Sequence, residues 1–206
     1  MKILVIGNSG FIGSYLVKKL LALGHNVTGL DILPPSQDDK LQRFFLGSIL
    51  NTADILKAAE GAEAVIHLAA KHHDFGISRK EFFEVNAQGT GNVLSCAEKL
   101  GIKRFIFYSS VAVYGNVASF STEETSPNPV NDYGESKLAA EKLIKDWAYK
   151  DAAREAAIIR PTVVFGPNNF ANMYNLINSI AKRRFVKVGK GDNIKSVAFV
   201  ENLIAA

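Results

Sequence analysis

The sequence predicts an α/β fold, a doubly wound parallel sheet. Two patterns point to it. Short apolar runs bounded by glycine alternate with segments whose apolar residues recur at helical spacing. No two-residue Asn-Gly or Asp-Gly turn joins adjacent strand patterns, which argues against hairpins and for right-handed crossovers through helices.

In chain order, Lys2–Ile6 is a short apolar run ending at Gly7 and reads as a buried strand. Phe11–Leu23 has helical spacing and stops at Gly24, a C-terminal cap. Asn26–Leu30 is strand-like, and Phe44–Leu46 is a candidate third strand. Thr52–Glu60 reads as a helix ended by Gly61, and Ala64–Leu68 as a strand. Ser78 with Glu81 three residues on forms a capping box, opening a long helix to about Leu100. Arg104–Ser109 is the next strand. Val117–Val130, with Pro127 and Pro129, is a loop; Asp132–Lys150 is a helix, and Ala157–Arg160 a strand. Beyond Pro167 the pattern loosens into a helix near Tyr174–Lys182 and two short apolar runs, Phe185–Val188 and Ser196–Val200. The strand–helix alternation therefore runs over 1–166 and loosens over 167–206.

Composition narrows the function. With 206 residues, 48% hydrophobic and 21% charged, the chain is too apolar for disorder and too charged for a membrane bundle. No stretch approaches the ~18 apolar residues of a span, and the apolar start is broken by Gly7-Asn8-Ser9-Gly10. A cytoplasmic location without a membrane partner is expected. One cysteine excludes an intrachain disulfide and cysteine-rich zinc modules. The net charge of +4 is scattered, with no basic stripe, so a nucleic-acid partner is not expected. His72-His73-Asp74 imitates a metal site, but neighbours on an extended chain point apart, so no metal is expected there.

Gly7-Asn8-Ser9-Gly10-Phe11-Ile12-Gly13 is G-x-x-G-x-x-G, set between the first strand and first helix. Glycine permits the sharp turn, lets backbone approach a pyrophosphate and lets helix pack on strand. The helix N-terminus then offers N–H groups to the anion. Asp31 closes the second strand, where a carboxylate accepts both ribose hydroxyls of an adenosine and repels a 2′-phosphate. No arginine follows it, so NAD is favoured over NADP.

Tyr133-Gly134-Glu135-Ser136-Lys137 places a phenol and an ammonium on one helical face. The ammonium favours the phenolate, so the tyrosine can exchange a proton with a sugar or alcohol hydroxyl while hydride moves to nicotinamide. Tyr15 and Lys19 have the same spacing. They lie within the helix that would carry the pyrophosphate, whereas Tyr133 follows a strand ending in Ser109-Ser110, where open α/β sheets place ligands. Ser110, Tyr133 and Lys137 form a proton-handling trio.

With His67-Leu68-Ala69-Ala70, Val85-Asn86-Ala87-Gln88-Gly89-Thr90, Ser109 through Gly115, and Arg160-Pro161-Thr162 through Gly166-Pro167, this set resembles the extended short-chain dehydrogenase/reductase family, in its NAD-dependent epimerase/dehydratase group. The resemblance implies a Rossmann-like cofactor domain over 1–166 and a partial substrate lobe over 167–206. It implies NAD contacts from Gly7, Gly10, Phe11, Ile12, Gly13, Asp31, Ser48, Ile49, Leu68, Ala69, Ala70, Asn86, Tyr133, Lys137 and Pro161. It implies substrate contacts from Lys71, Ser110 and Tyr133, and a nucleotide-sugar as the small-molecule substrate. It also implies a homodimer built on the helices that start at Ser78 and Asp132; from the sequence alone a second lobe could cover them equally well.

Three departures matter. Ser48 stands where the family places an aspartate on adenine. Val111 and Ala112 stand where glucose 4,6-dehydratases carry Asp-Glu, so neither can transfer a proton. Val163 replaces an asparagine of many sugar epimerases. The chain stops at Ala206, shortly after the Ser196–Asn202 segment that precedes the family's final portion, so an incomplete substrate pocket is expected. The reading is an NAD-dependent sugar-nucleotide epimerase; the alternatives are a dehydrogenase/reductase of another alcohol, hydroxysteroid-like, or a non-catalytic NAD-binding protein.

Overall fold

The first strand, β1 (Lys2–Ile6), is buried from Ile3 onward and lies at the middle of a parallel sheet. Leu4 and Ile6 join one continuous core; Ile3 and Val5, pointing the other way by strand alternation, are buried too. A strand covered on both faces has to be apolar throughout, which is why its sequence shows no alternation. The computed structural model describes residues 1–35, 41–72, 76–116, 120–187 and 189–206.

These residues divide into two compact units, Met1–Arg160 and Pro161–Ala206. The division precedes the 166/167 boundary drawn from the sequence, because the strand after Pro161 pairs outside the main sheet.

In the first unit, β1 is followed by α1 (Phe11–Ala22), β2 (Asn26–Asp31), β3 (Arg43–Leu46), α2 (Thr52–Ala59) and β4 (Ala64–His67). Next come α3 (Arg79–Phe82), a π-helical stretch (Phe83–Gly89) and α4 (Thr90–Lys99). The unit closes with β5 (Arg104–Tyr108), a 3₁₀ turn (Val111–Tyr114), α5 (Asp132–Tyr149) and β6 (Glu155–Ile159). The strand order is β3-β2-β1-β4-β5-β6, every neighbouring pair parallel. The chain reverses direction across the sheet between β1 and β4, the switch point at which doubly wound sheets open a ligand crevice.

Ile55 and Ala58 of α2, Val93 and Cys96 of α4, and Ala140, Ile144 and Trp147 of α5 pack with Leu4, Val65, Phe105 and Phe107 of the sheet. The capping box read from Ser78 and Glu81 is present: Ser78 Oγ accepts the Glu81 N–H and Glu81 Oε2 accepts the Ser78 N–H. The single helix expected from Ser78 to about Leu100 instead widens into a π turn between two α segments. Apolar periodicity does not register one extra residue per turn, and such π insertions are common at functional sites.

The second unit holds β7 (Val163–Phe165), α6 (Asn172–Ala181), β8 (Val197–Phe199) and α7 (Val200–Ala205). β7 and β8 pair in parallel, and the Phe165 and Phe199 rings meet at 5.7 Å. Of the two apolar runs expected here, 196–200 contains a strand, residues 185–187 are irregular, and Val188 lies outside the described residues.

Ile144 is fully buried on the core face of α5. Ile144→Ala is expected to lower the unfolding free energy by about 2–5 kcal/mol, read by urea denaturation.

Candidate active site

The ends of β1, β2 and β4 are laced together. Gly7 N–H donates to the Leu30 carbonyl at 2.9 Å, and the Ile6 carbonyl accepts both Leu68 and Ala69 N–H groups at 2.8 and 3.2 Å. Gly7 has φ +86°, and a Cβ there would lie 2.6 Å from the Ala69 nitrogen. A Cβ on Gly13 would lie 2.1 Å from the Gly7 carbonyl oxygen. The bend can therefore close only without side chains at these two positions.

Gly10 sits at the N-cap of α1. No side chain caps that end and its first turn has no acidic residue. The first-turn N–H groups of Phe11, Ile12 and Gly13 have no acceptor within the helix, so this end is prepared for an anion. Asp31 reaches the same loop: its two oxygens accept the Ser9 and Leu33 N–H groups at 2.9 and 3.1 Å. Each oxygen keeps a lone pair for a hydroxyl donor. An unfilled glycine floor, an uncapped helix N-terminus and a carboxylate at the end of β2 together fit a dinucleotide with an unmodified ribose.

Ser48 and Ile49 follow β3. Ser48 N–H donates to Asp54 Oδ2 at 3.1 Å, while its hydroxyl accepts the Leu50 N–H at 3.2 Å. The Ile49 side chain is buried in the core and leaves only backbone for a ligand. Leu68, Ala69 and Ala70 extend β4 past Gly7. Pro161 opens the second unit.

The residues expected to handle the proton follow β5 and open α5. Ser110 caps the 3₁₀ turn, its Oγ accepting the Ala112 N–H at 3.1 Å. Asn131 caps α5, its Oδ1 accepting the Gly134 N–H at 2.7 Å, which puts Tyr133 in the first turn. A Cβ on Gly134 would lie 2.5 Å from the Ala112 carbonyl oxygen. This close approach presses the start of α5, with Tyr133, onto the turn that carries Ser110.

Lys137 is buried. Its ammonium donates to the Tyr108 carbonyl at 2.6 Å and lies 4.1 Å from the Phe107 ring centroid. Burial pushes its pKa down to about 7, against the opposing pull of Glu141. Lys19, by contrast, is exposed on α1, and its companion Tyr15 packs edge-on against Phe11 at 5.6 Å. Burial thus separates the two Tyr/Lys pairs that spacing alone leaves equivalent.

Asn86, in the π stretch, accepts the Lys71 N–H at 2.8 Å and donates to the Lys71 carbonyl at 3.0 Å and to Ser136 Oγ at 2.9 Å. Ser136 in turn donates to the Tyr133 carbonyl at 2.7 Å. One buried amide therefore ties the Ala69–Lys71 segment to the helix of Tyr133 and Lys137.

The sequence reads His67 only as packing at a strand end and gives no reading of Glu141. His67 is buried; its Nε2 lies 3.1 Å from Thr90 Oγ1, and that hydroxyl donates to the Asn86 carbonyl at 2.7 Å. The threonine proton is thus committed, so Nε2 carries the hydrogen and Nδ1 is left bare and without a partner. The second is a carboxylate, Glu141, bound to Arg160 and Ser109. Its signal was its place one turn past Lys137 and two past Tyr133. Among the described residues no group of three or more His, Cys, Asp or Glu could hold a metal ion, and His73 and Asp74 lie outside them. Among the same residues no helix is long and apolar enough to cross a membrane.

The family model described as NAD dependent epimerase/dehydratase family matches residues 3–206. The chain is 40% identical over 210 residues to N-acetyl-alpha-D-glucosaminyl-diphospho-ditrans,octacis-undecaprenol 4-epimerase of Escherichia coli O157:H7, covering 98% of this chain and 60% of that protein. It is 34% identical over 211 residues to UDP-glucose 4-epimerase of Vibrio cholerae, covering 98% and 64%. Among solved structures it is similar to MoeE5 in complex with UDP-glucuronic acid and NAD, at TM-score 0.87 and 28% identity, over 100% of this chain and 70% of that one. The chain thus spans about three fifths of the length of the curated relatives it matches.

Two outcomes test this geometry. Gly134→Ala must separate α5 from the Ala112 carbonyl and is expected to cost about 1–3 kcal/mol of stability, measured by thermal denaturation. Burial lowers the His67 pKa from 6.5 to about 3, with the Lys137 charge adding to the effect. The unfolded chain therefore binds the extra proton, and this contribution is complete above about 6.5 and lost as pH falls toward 3. Stability of His67→Gln is expected to decline less steeply than wild type across that window.

Proposed function

Because the chain belongs to the NAD dependent epimerase/dehydratase family and presses the start of α5, the helix of Tyr133 and the buried Lys137, onto the Ser110 turn, we propose that it is the cofactor-binding and proton-handling part of an epimerase for diphosphate-linked sugars. Both curated relatives described above act, by name, on a sugar joined to a diphosphate, which supports that substrate class.

The observation that carries the reading is the burial of Lys137 on the helical face of Tyr133. A desolvated ammonium acts on its neighbours through a low dielectric, so its charge favours the phenolate strongly. Tyr133 Oη then takes the proton of the sugar hydroxyl, and Ser110 Oγ holds the same oxygen by a hydrogen bond. NAD, when bound, supplies the acceptor and later the donor of the hydride. For epimerisation the ketone turns within the site, and Tyr133 returns the proton to the oxygen of the inverted alcohol. Gly7, Gly10 and Gly13 with the α1 N-terminus hold the diphosphate, Asp31 the adenosine ribose, and Lys137 the nicotinamide ribose. Leu68, Ala69, Ala70 and Asn86 flank the cofactor, and Lys71 faces the substrate.

Val111 and Ala112 favour this reading over dehydration. They are the two residues after Ser110, and neither has a proton to give or take. A chain that eliminated water would need an acid and a base there.

Tyr133→Phe is expected to keep NAD affinity within about twofold and to lose 10²–10⁴-fold in turnover, of the order general acid–base groups contribute. Turnover is followed as interconversion of UDP-sugars or undecaprenyl-diphosphate sugars. Wild type should form no net NADH; stoichiometric NADH release would replace epimerisation by a dehydrogenase reaction.

A further inference from the structure

We propose that Glu141 is a positioning residue: through Arg160 and Ser109 it locks the Ser110 turn to the helix that carries Tyr133 and Lys137. The inference rests on the roles proposed above for those three residues.

The connections are direct. The Glu141 side chain has no solvent exposure. Its Oε1 accepts the Ser109 hydroxyl at 2.6 Å and Arg160 Nε at 2.9 Å, and its Oε2 accepts Arg160 Nη2 at 2.5 Å. Arg160 Nη1 goes on to Tyr114 Oη at 2.7 Å, with the guanidinium 4.9 Å from the Tyr114 ring centroid. Ser109 is the residue before Ser110, and Tyr114 ends the 3₁₀ turn that Ser110 caps. One carboxylate on α5 therefore grips the Ser110 turn directly at its beginning and, through Arg160, at its end.

Stability alone does not account for this arrangement. A buried ion pair roughly breaks even against apolar residues of the same volume, because both charges lose their hydration. What the fork does provide is geometry, since a bidentate guanidinium–carboxylate pair fixes orientation as well as distance. The carboxylate also stays charged. Burial alone would raise its pKa, but the hydrogen bonds from Arg160 and Ser109 outweigh that and hold it below the ordinary range.

That charge acts on Lys137, one turn away. Tyr133 and Glu141 flank Lys137 on its own helix; β5 contributes the Phe107 ring and the Tyr108 carbonyl; β4 contributes neutral His67; Arg160 lies beyond Glu141. Among the charged groups named here, Glu141 raises the affinity of Lys137 for its proton, against the burial that lowers it.

The test compares Glu141→Gln, Glu141→Asp and wild type as NAD-loaded protein. Lys137 is titrated by NMR of ¹³Cε-labelled lysine, its signal assigned by loss in Lys137→Met, and turnover is measured against pH. Glu141→Gln is expected to move the Lys137 midpoint down by about one pH unit or more and to reduce kcat at least about tenfold, with KM for the sugar within about twofold. Glu141→Asp, charged but shorter, is expected to restore the Lys137 midpoint and not kcat. If Glu141→Gln leaves both the midpoint and kcat as in wild type, or lowers activity only in proportion to the unfolded fraction, the proposal is overturned. Should Glu141→Gln unfold, Glu141→Leu/Arg160→Met, which leaves no unpaired charge, is measured in the same way and judged by the same outcomes. Retained turnover in Tyr133→Phe would reject the proton-transfer reading itself; the Lys137 titration would still decide whether Glu141 acts on Lys137.

Discussion

A cation withdrawn from water is the constraint around which the site is organised. Lys137 has almost no solvent exposure, and its hydration shell is replaced by one carbonyl, one aromatic face and the field of one carboxylate. Such a group persists only where the surrounding structure supplies fixed dipoles. The Tyr108 carbonyl serves here because it lies at the end of β5, where the strand no longer needs it for pairing beyond Ile159. The Phe107 ring serves because strand alternation turns it into the core beneath α5. The sheet thus does more than support the helix: its final residues solvate the helix's charge.

A second chain of contacts reaches the same place from the other side. The His67 ring is held by Phe105, Phe107 and Thr90, and Thr90 holds the Asn86 carbonyl. Asn86 then fastens Lys71 to Ser136. The π turn gives Asn86 its place in this relay, buried between the β4 extension and α5. A neutral histidine suits the position, because a second cation beside Lys137 would raise the cost of burying both.

Much of this was legible beforehand, for reasons that differ by residue. The strands and helices of the first unit follow from apolar periodicity, and the cradle at Gly7–Gly13 follows from where its glycines fall between strand and helix. Ser110, Tyr133 and Lys137 could be singled out by their spacing and their place at a strand end, and the burial of Lys137 then distinguishes this pair from Tyr15 and Lys19. Other features leave no local trace. The π turn adds one residue within an otherwise helical pattern, and β7 is only Val163–Phe165, too short for alternation to register. Glu141 and Arg160 look like ordinary charges until the fold buries one of them, and Gly134 looks like a poor helix residue until the Ala112 carbonyl is found against it. Charge burial and backbone contact between distant segments are properties of the folded chain.

With the exception of Pro161, every residue given a role toward the dinucleotide or the migrating proton precedes the boundary at Arg160. Substitutions within Pro161–Ala206 therefore leave every side chain named around the Lys137 ammonium unchanged.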